Sequence, residues 1–393
     1  RLVGSEMCIR DSNSIAYTLR GISYLIPRNK DKWVVGNSRG FNNNTKYFFI
    51  HAKTVLEKNK CYWISKNKSS RKIVRTFGFK AYHPWSITGI YHLLTAGVYI
   101  YDSRVSALNY WVSGGAKFVN LWHGVGIKNI EFAGQVKPFP AETCMNKFLK
   151  PVIYLKPDLF LSTSPLMTRH FCKCFRISPQ QCIESSYPRN EILQWEESRL
   201  LEFIQKYEPK ETMAIIRRLK KATQSFIYMP TFRDENKNFL EQSGIDLKKL
   251  NDTLKAQNKL FILKLHPFTR INMDLCAFDH ILTVNNKTDI YPILPFTDVL
   301  ITDYSSIYFD YLLMKNKSIL LFPFDYQKYI EEDRDLAFDF VTYMPGQHVY
   351  NFNALIETIK SGKIQASDKN EWIRNQFWYS PHPQNLYDAI SRL

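Results

Sequence analysis

No stretch of these 393 residues stays apolar for the roughly 20 positions that a helix needs to cross a bilayer. The longest apolar run, near Gly89 to Tyr101, is broken by His92, so no spanning helix is predicted. Cysteine is sparse: seven residues, an odd number, with Cys172 and Cys174 the nearest pair and no CxxC. That spacing offers neither a zinc motif nor a dithiol couple, and reduced thiols are the simplest account. Phosphate-loop and dinucleotide fingerprints of the types GxxxxGK(S/T) and GxGxxG are also missing, which removes sequence support for ATPase and nicotinamide chemistry. Residues 1–12, RLVGSEMCIRDS, have neither an initiating methionine nor the charged-then-apolar layout of a secretion signal. They are expected to be a non-native remnant outside the fold. Internal repeats and low-complexity segments are absent as well.

Acidic residues are in deficit: 36 Asp and Glu against 53 Lys and Arg leave a formal charge of +17. Such an excess attracts phosphates, nucleic acid or an anionic membrane face without choosing among them. The basic residues are spread along the chain, as at Lys58, Lys60, Lys66, Lys68, Arg71 and Lys72, instead of forming a tail.

What the chain has in quantity is core material, 45% hydrophobic with 15% aromatic, enough for two cores without disulfides. Short β-like runs alternate with helical spacing. WVVGN, CYWIS, KIVRTFG, GVYIYD, KFVNLW, LFLSTS and IESSY occupy the first half, and SFIYMPT, LFILKLHP, ILTVN, VLITD and SILLFPF the second. This rhythm predicts an α/β protein of two doubly wound, mainly parallel lobes facing a cleft. Arg189 to Lys221 reads as a charged helical connection. The expected division is a first lobe over 13–205, a second over 206–375, and a C-terminal helical piece over 376–393 that could return to the first lobe.

Chemistry-bearing residues gather at predicted strand ends. KFVNLWHGVG puts His123 where a strand stops, with Gly124 and Gly126 permitting a bend beside it. VLITDYSS places Ser305 and Ser306 at a helix start after the turn at Thr302 and Asp303, a plausible diphosphate seat, although capping alone would also explain two serines. YMPTFRD adds Thr231 and Arg233, and LKLHP adds His266. Each fragment alone could be a turn; three strand ends in one lobe with anion-binding groups are a stronger signal.

At these residues the chain resembles the CDP-glycerol glycerophosphotransferases, which prime and polymerise teichoic acids and related glycerol phosphate polymers in bacteria. The matching pieces are LWHGVGIK (Leu121–Lys128), SYPRNEIL (Ser186–Leu193), YMPTFRD (Tyr228–Asp234), LKLHP (Leu263–Pro267), TDVLITDYSSIYFDYLL (Thr297–Leu313), FPFDYQKY and MPG (Met344–Gly346). WVVGNSRGFNNNTKYFF looks like the family's opening segment, and the resemblance covers nearly all of the chain after residue 13. Val125 stands where the family commonly has proline, Asn42 to Asn44 replace an Asp-Asn pair, and Glu191 replaces the usual Asp. These departures bear on acceptor choice more than on reaction type.

The resemblance implies a GT-B-like fold of two Rossmann-type lobes, with the donor in the C-terminal lobe and the acceptor against the N-terminal one. It implies transfer of glycerol phosphate from CDP-glycerol, or ribitol phosphate from CDP-ribitol, to a hydroxyl of a lipid-linked polyol phosphate or glycan acceptor, with release of CMP. His123 is then the expected base. His266, Thr231, Arg233, Ser305 and Ser306 are expected on the donor phosphates, with Thr302 and Asp303 shaping that turn; His266 is the second expected catalytic residue, by binding the leaving phosphate or alternatively as the proton donor to CMP. Arg189 is expected to orient the diphosphate or close the lobes, and Asp325 to meet the ribose or remain a loop acid. No metal cluster is expected: Asp333, Asp335 and Asp339 read as a solvated or lobe-facing set, and magnesium stays open as a cofactor. The +17 charge without a spanning helix suits a cytoplasmic protein peripheral to the inner membrane face, with Tyr91 and Trp111 as candidate anchors. Rival readings are a nucleotide-sugar glycosyltransferase of the same fold and, from another class, a nucleic-acid binder, disfavoured because no concentrated basic-aromatic stripe appears.

Overall fold

The computed structural model describes residues 16–136, 138–231, 233, 239–265, 277–285 and 288–393. The chain divides into two compact units. One comprises Arg1–His123, Phe139–Arg189 and Tyr379–Leu393; the other comprises Gly124–Pro138 and Asn190–Trp378. The changeover thus follows His123 directly, and the charged connection after Arg189 belongs to the second unit as two helices, Glu197–Tyr207 and Lys210–Leu219.

Among the described residues the first unit carries seven parallel strands: β1 Asn29–Val35, β2 Cys61–Ile64, β3 Ala81–Tyr82, β4 Ala96–Tyr101, β5 Lys117–Asn120, β6 Leu159–Ser162 and β7 Cys182–Glu184. Their order is β3-β2-β1-β4-β5-β6-β7. A parallel sheet covered on both faces needs short strands that are apolar throughout. Trp33, Val34, Val35, Tyr99 and Ile100 meet that need, all of them fully buried. The second unit carries six parallel strands: β8 Ser225–Tyr228, β9 Leu260–Leu263, β10 Ile281–Thr283, β11 Val299–Thr302, β12 Ser318–Leu321 and β13 Gln347–His348, in the order β10-β9-β8-β11-β12-β13. Its core packs Phe226, Phe261, Ile301, Leu320 and Leu355 around that sheet.

Two sequence expectations change. KIVRTFG is not a strand: Lys68–Thr76 is a helix, opened by the Asn67 side chain accepting from the Ser70 amide. Ser70 and Val74 face inward while Arg71 and Arg75 point out, a helical spacing that the β-branched residues obscured. β3 and β13 are not among the expected strands either: each spans two residues, too few to show a strand pattern, and those of β13 are half-buried and polar. Residues Tyr379–Leu393 belong to the first unit, where Tyr387 stacks on Phe48 and His51 at centroid distances of 5.0 and 4.3 Å.

Each sheet reverses its winding once, between β1 and β4 in the first unit and between β8 and β11 in the second. Open α/β sheets bind ligands beyond the carboxyl ends of strands at such points. The candidate residues cluster at both.

Candidate active site

In the first unit β4 ends at Asp102 and β5 runs into His123. The His123 Nδ1 lies 2.8 Å from the main-chain oxygen of Asp102. A carbonyl oxygen only accepts, so Nδ1 carries the proton and Nε2 keeps a lone pair. Burial pushes the imidazole down to about 4; the Asp102 bond opposes this in part, and Arg39 and Arg189 reinforce it. The ring is therefore neutral at physiological pH.

The loop holding this ring is clamped from three sides. Asn44 donates to the carbonyls of Leu121 and Trp122 at 3.2 and 2.9 Å, and its own oxygen accepts from the Arg189 amide at 3.3 Å. The Arg189 guanidinium donates to the His123 carbonyl at 2.8 Å and to Asn43. Trp122 sits at φ +46, a conformation that a bulky side chain adopts only when its surroundings enforce it. Beneath the loop the Asp102 carboxyl, pushed up to about 7 by burial despite its Thr45 bond, accepts from Asn37 at 2.8 Å and Thr45 at 3.0 Å.

In the second unit, Asp303 at the end of β11 is fully buried. It accepts from the Thr231 amide at 2.8 and 3.1 Å, from the Tyr304 amide at 2.6 Å and from Arg233 Nη1 at 2.5 Å. Arg233 Nε and Nη2 form a two-point pair with Asp325 at 2.9 and 2.7 Å, and Tyr304 donates its hydroxyl to the same carboxylate at 2.8 Å. The Thr302 hydroxyl donates to the Met229 carbonyl at 2.7 Å, tying β11 to β8. Ser305 and Ser306 lie half-exposed beyond this network, and their hydroxyls have no hydrogen-bond partner among the described residues.

The segment that follows His123 belongs to this second unit and is fastened there. Asn129 donates to Asp335 at 2.7 Å, the Gln135 and Val136 amides donate to the same carboxylate, and Ile127 accepts from the Ala337 amide at 2.6 Å. A side chain at Gly126 would touch the Ser306 Cβ at 3.7 Å. Lys128 reaches Thr231, its Nζ 3.4 Å from the hydroxyl, and lies 5.2 Å from the Tyr329 ring centre.

The structure therefore sorts the expected set. Thr231 follows β8 and Ser305 and Ser306 follow β11, neighbouring strands of one sheet, with Asp303 accepting from the Thr231 amide between them. Arg233 instead sits inside, its donors occupied by Asp303 and Asp325, and Asp325 is taken up by that pair and by Tyr304, not offered to a ribose. Ser306 is the N-cap residue of the following helix, Ile307–Tyr311, but its side chain makes no capping bond. Arg189 braces the His123 loop within the first unit. His266 lies outside the described residues. Asp335 anchors a segment, Asp339 accepts from the Thr342 amide, and among the described residues no three metal-ligating side chains converge. Sequence reasoning passed over Asp102, Asn44 and Lys128, although Asp102 ends GVYIYD just as His123 follows KFVNLW.

The family described as CDP-Glycerol:Poly(glycerophosphate) glycerophosphotransferase matches residues 22–379. A teichoic acid ribitol-phosphate primase of Bacillus spizizenii is 27% identical over 357 residues, 88% of this chain and 86% of that protein. A teichoic acid glycerol-phosphate primase of Bacillus subtilis is 27% identical over 317 residues, 77% of each chain. A solved structure of a single-residue variant of the wall teichoic acid polymerase TagF is similar with a TM-score of 0.74 at 19% identity, covering 95% of this chain and 93% of that one. A TagF variant soaked with CDPG is similar with a TM-score of 0.72, covering 95% and 92%. These likenesses show a shared GT-B-like fold of two Rossmann-type units.

Proposed function

Because the chain belongs to the CDP-glycerol:poly(glycerophosphate) glycerophosphotransferase family, we propose that it transfers glycerol phosphate from CDP-glycerol to an acceptor hydroxyl in teichoic acid-type polymer synthesis. In this reading the acceptor oxygen attacks the phosphorus that bears glycerol. Its proton passes to His123 Nε2, the bond to the bridging oxygen breaks, and CMP leaves with both electrons. The observation that carries it is the fixed tautomer of His123, which leaves a neutral nitrogen able to take a proton without first losing one.

Thr231, Ser305 and Ser306 supply hydroxyl donors to the donor phosphates, while Asp303, Arg233 and Thr302 hold the strand ends that present them. No step uses a metal ion. The test is a donor panel with purified protein and a lipid-linked glycerol phosphate acceptor. CDP-glycerol should give the highest kcat/KM, with CDP-ribitol next; a nucleotide sugar turned over faster than either would replace this reading with glycosyl transfer.

The acceptor is lipid-linked in this reading, and the protein is peripheral on the inner membrane face. Among the described residues no helix is long and apolar enough to cross a membrane. Lys68, Arg71, Lys72 and Arg75 line a groove of about 420 Å³ along the helix Lys68–Thr76. Exposed Ile73 lies on that helix, and exposed Trp85 follows His83, a ring whose proton affinity burial and then Arg71 and Lys66 lower. Tyr91 is exposed too, whereas Trp111 packs its edge against Tyr17 and is half-buried. Basic residues near an anionic surface contribute about 1 kcal/mol each. Exchanging Lys68 and Lys72 for glutamine should therefore weaken flotation on anionic vesicles by about thirtyfold. Equal flotation on neutral vesicles would refute attraction by charge.

A further inference from the structure

Among the described residues, Arg233 and Lys128 are cations beside the carboxyl ends of β8 and β11, and they are not equivalent. Arg233 is surrounded by carboxylate oxygens. Lys128 Nζ has three N–H donors and one long contact, 3.4 Å to the Thr231 hydroxyl, with no ion-pair partner among the described residues. Asp303, the carboxylate that most supports the ammonium charge, already accepts from Thr231, Tyr304 and Arg233. Two residues before Lys128, a Cβ added at Gly126 would lie 3.7 Å from the Ser306 Cβ, so the backbone leading to the lysine passes beside that serine. The backbone fixes the lysine there, because Lys128 bridges to Leu336 and its neighbours bond Asp335 and Ala337.

We propose that Lys128 binds the donor's diphosphate, its ammonium contacting the phosphate that leaves as part of CMP. The inference rests on the transfer reading above and adds a residue to it. As the bond from the glycerol-bearing phosphorus to the bridging oxygen breaks, the electron pair stays on that oxygen. The departing phosphate gains one negative charge, and a fixed ammonium beside it stabilises the transition state more than the bound donor. The lysine keeps its proton throughout.

The surroundings of Lys128 make this measurable. Burial pushes its ammonium down to about 7; Asp303 and Asp333 oppose that, while Arg233 and Arg334 reinforce it. Thr231 and the Tyr329 ring complete its immediate surroundings. An anionic ligand must raise the pKa again, so donor binding should draw a proton from solution.

The experiment is calorimetric titration of CDP-glycerol, without acceptor, at pH 7.5 in Hepes and in Tris, whose different ionisation heats report protons exchanged. Wild type should take up about half a proton or more. Lys128→Met, folded by circular dichroism, should bind at least tenfold more weakly and take up none. Lys128→Arg, whose charge does not titrate, should bind within a few-fold of wild type yet also take up none. Equal affinity and equal proton uptake in wild type and Lys128→Met would overturn the assignment while leaving the transfer reading intact. Should Lys128→Met not fold, undiminished uptake in Lys128→Arg would overturn it in the same way. A wild-type protein that binds no CDP-glycerol would overturn both.

Discussion

Replacing His123 with alanine should lower kcat for CMP release by about a thousandfold, within the 10²–10⁴ range of a positioned general base, while CDP-glycerol binds as before. The split follows from placement. His123 ends the first unit's site and bonds Asp102, whereas the proposed donor contacts all lie in the second unit. Removing the ring takes the proton acceptor from the acceptor hydroxyl and leaves Thr231, Ser305 and Ser306 untouched. His123→Gln is the companion variant, since its amide can bond the Asp102 carbonyl but cannot take a proton; it should be nearly as slow. Near-normal turnover in either, with the fold intact by circular dichroism, would remove His123 as base.

The same ring sets a pH dependence with a definite sign. Its pKa is lowered, so the neutral, competent form persists as pH falls and is lost only near 4. The acid limb of kcat/KM assigned to His123 should therefore lie near pH 4 and not near 6.5. Bound diphosphate adds negative charge and raises the imidazole pKa, so the limb in kcat should lie higher than that in kcat/KM.

The largest loss of stability is expected from Arg233→Met. Arg233 is 2% exposed and Asp303 fully buried. Burial opposes the guanidinium charge, and Asp303 and Asp325 more than restore it. Methionine fills a similar volume but leaves both carboxylates facing each other without a cation. Breaking a buried ion pair from one side costs about 3–5 kcal/mol. For a unit of this size that is a fall in Tm on the order of 10 °C, measurable by calorimetry. Lys248→Gln, a surface control, should change stability by no more than about 0.5 kcal/mol. An Arg233→Met protein as stable as wild type but unable to bind CDP-glycerol would return Arg233 to the anion-contact role that its sequence position suggested.

That contrast marks where the sequence stopped being informative. YMPTFRD shows a guanidinium after a strand, and such a group can meet a phosphate or a carboxylate equally well. Which one it meets depends on Asp303 and Asp325, 70 and 92 residues away in sequence, and local spacing holds no record of that pairing. Strands were legible because parallel, doubly covered segments must be continuously apolar, as Trp33–Val35 and Val299–Thr302 are. KIVRTFG misled because Ile73 and Val74 are strand formers by composition, although only Val74 faces inward. The strand-end histidine was visible; its tautomer was not, because the partner is a backbone oxygen on another strand. Asn42 to Asn44 read as a departure from the family pattern, and only the fold reveals Asn44 as the clamp on the Leu121 and Trp122 carbonyls. Lys128 ends LWHGVGIK, where sequence alone does not distinguish it from the many surface lysines; its place beside Thr231 sets it apart.

Phosphorus-31 NMR of a reaction containing purified protein, CDP-glycerol and a lipid-linked glycerol phosphate acceptor tests the central claim most directly. Loss of the paired diphosphate resonances, with matched growth of a CMP monoester signal and a new phosphodiester signal, is the predicted result. Accumulation of CDP, or a diphosphate that persists while the acceptor is consumed, would contradict it.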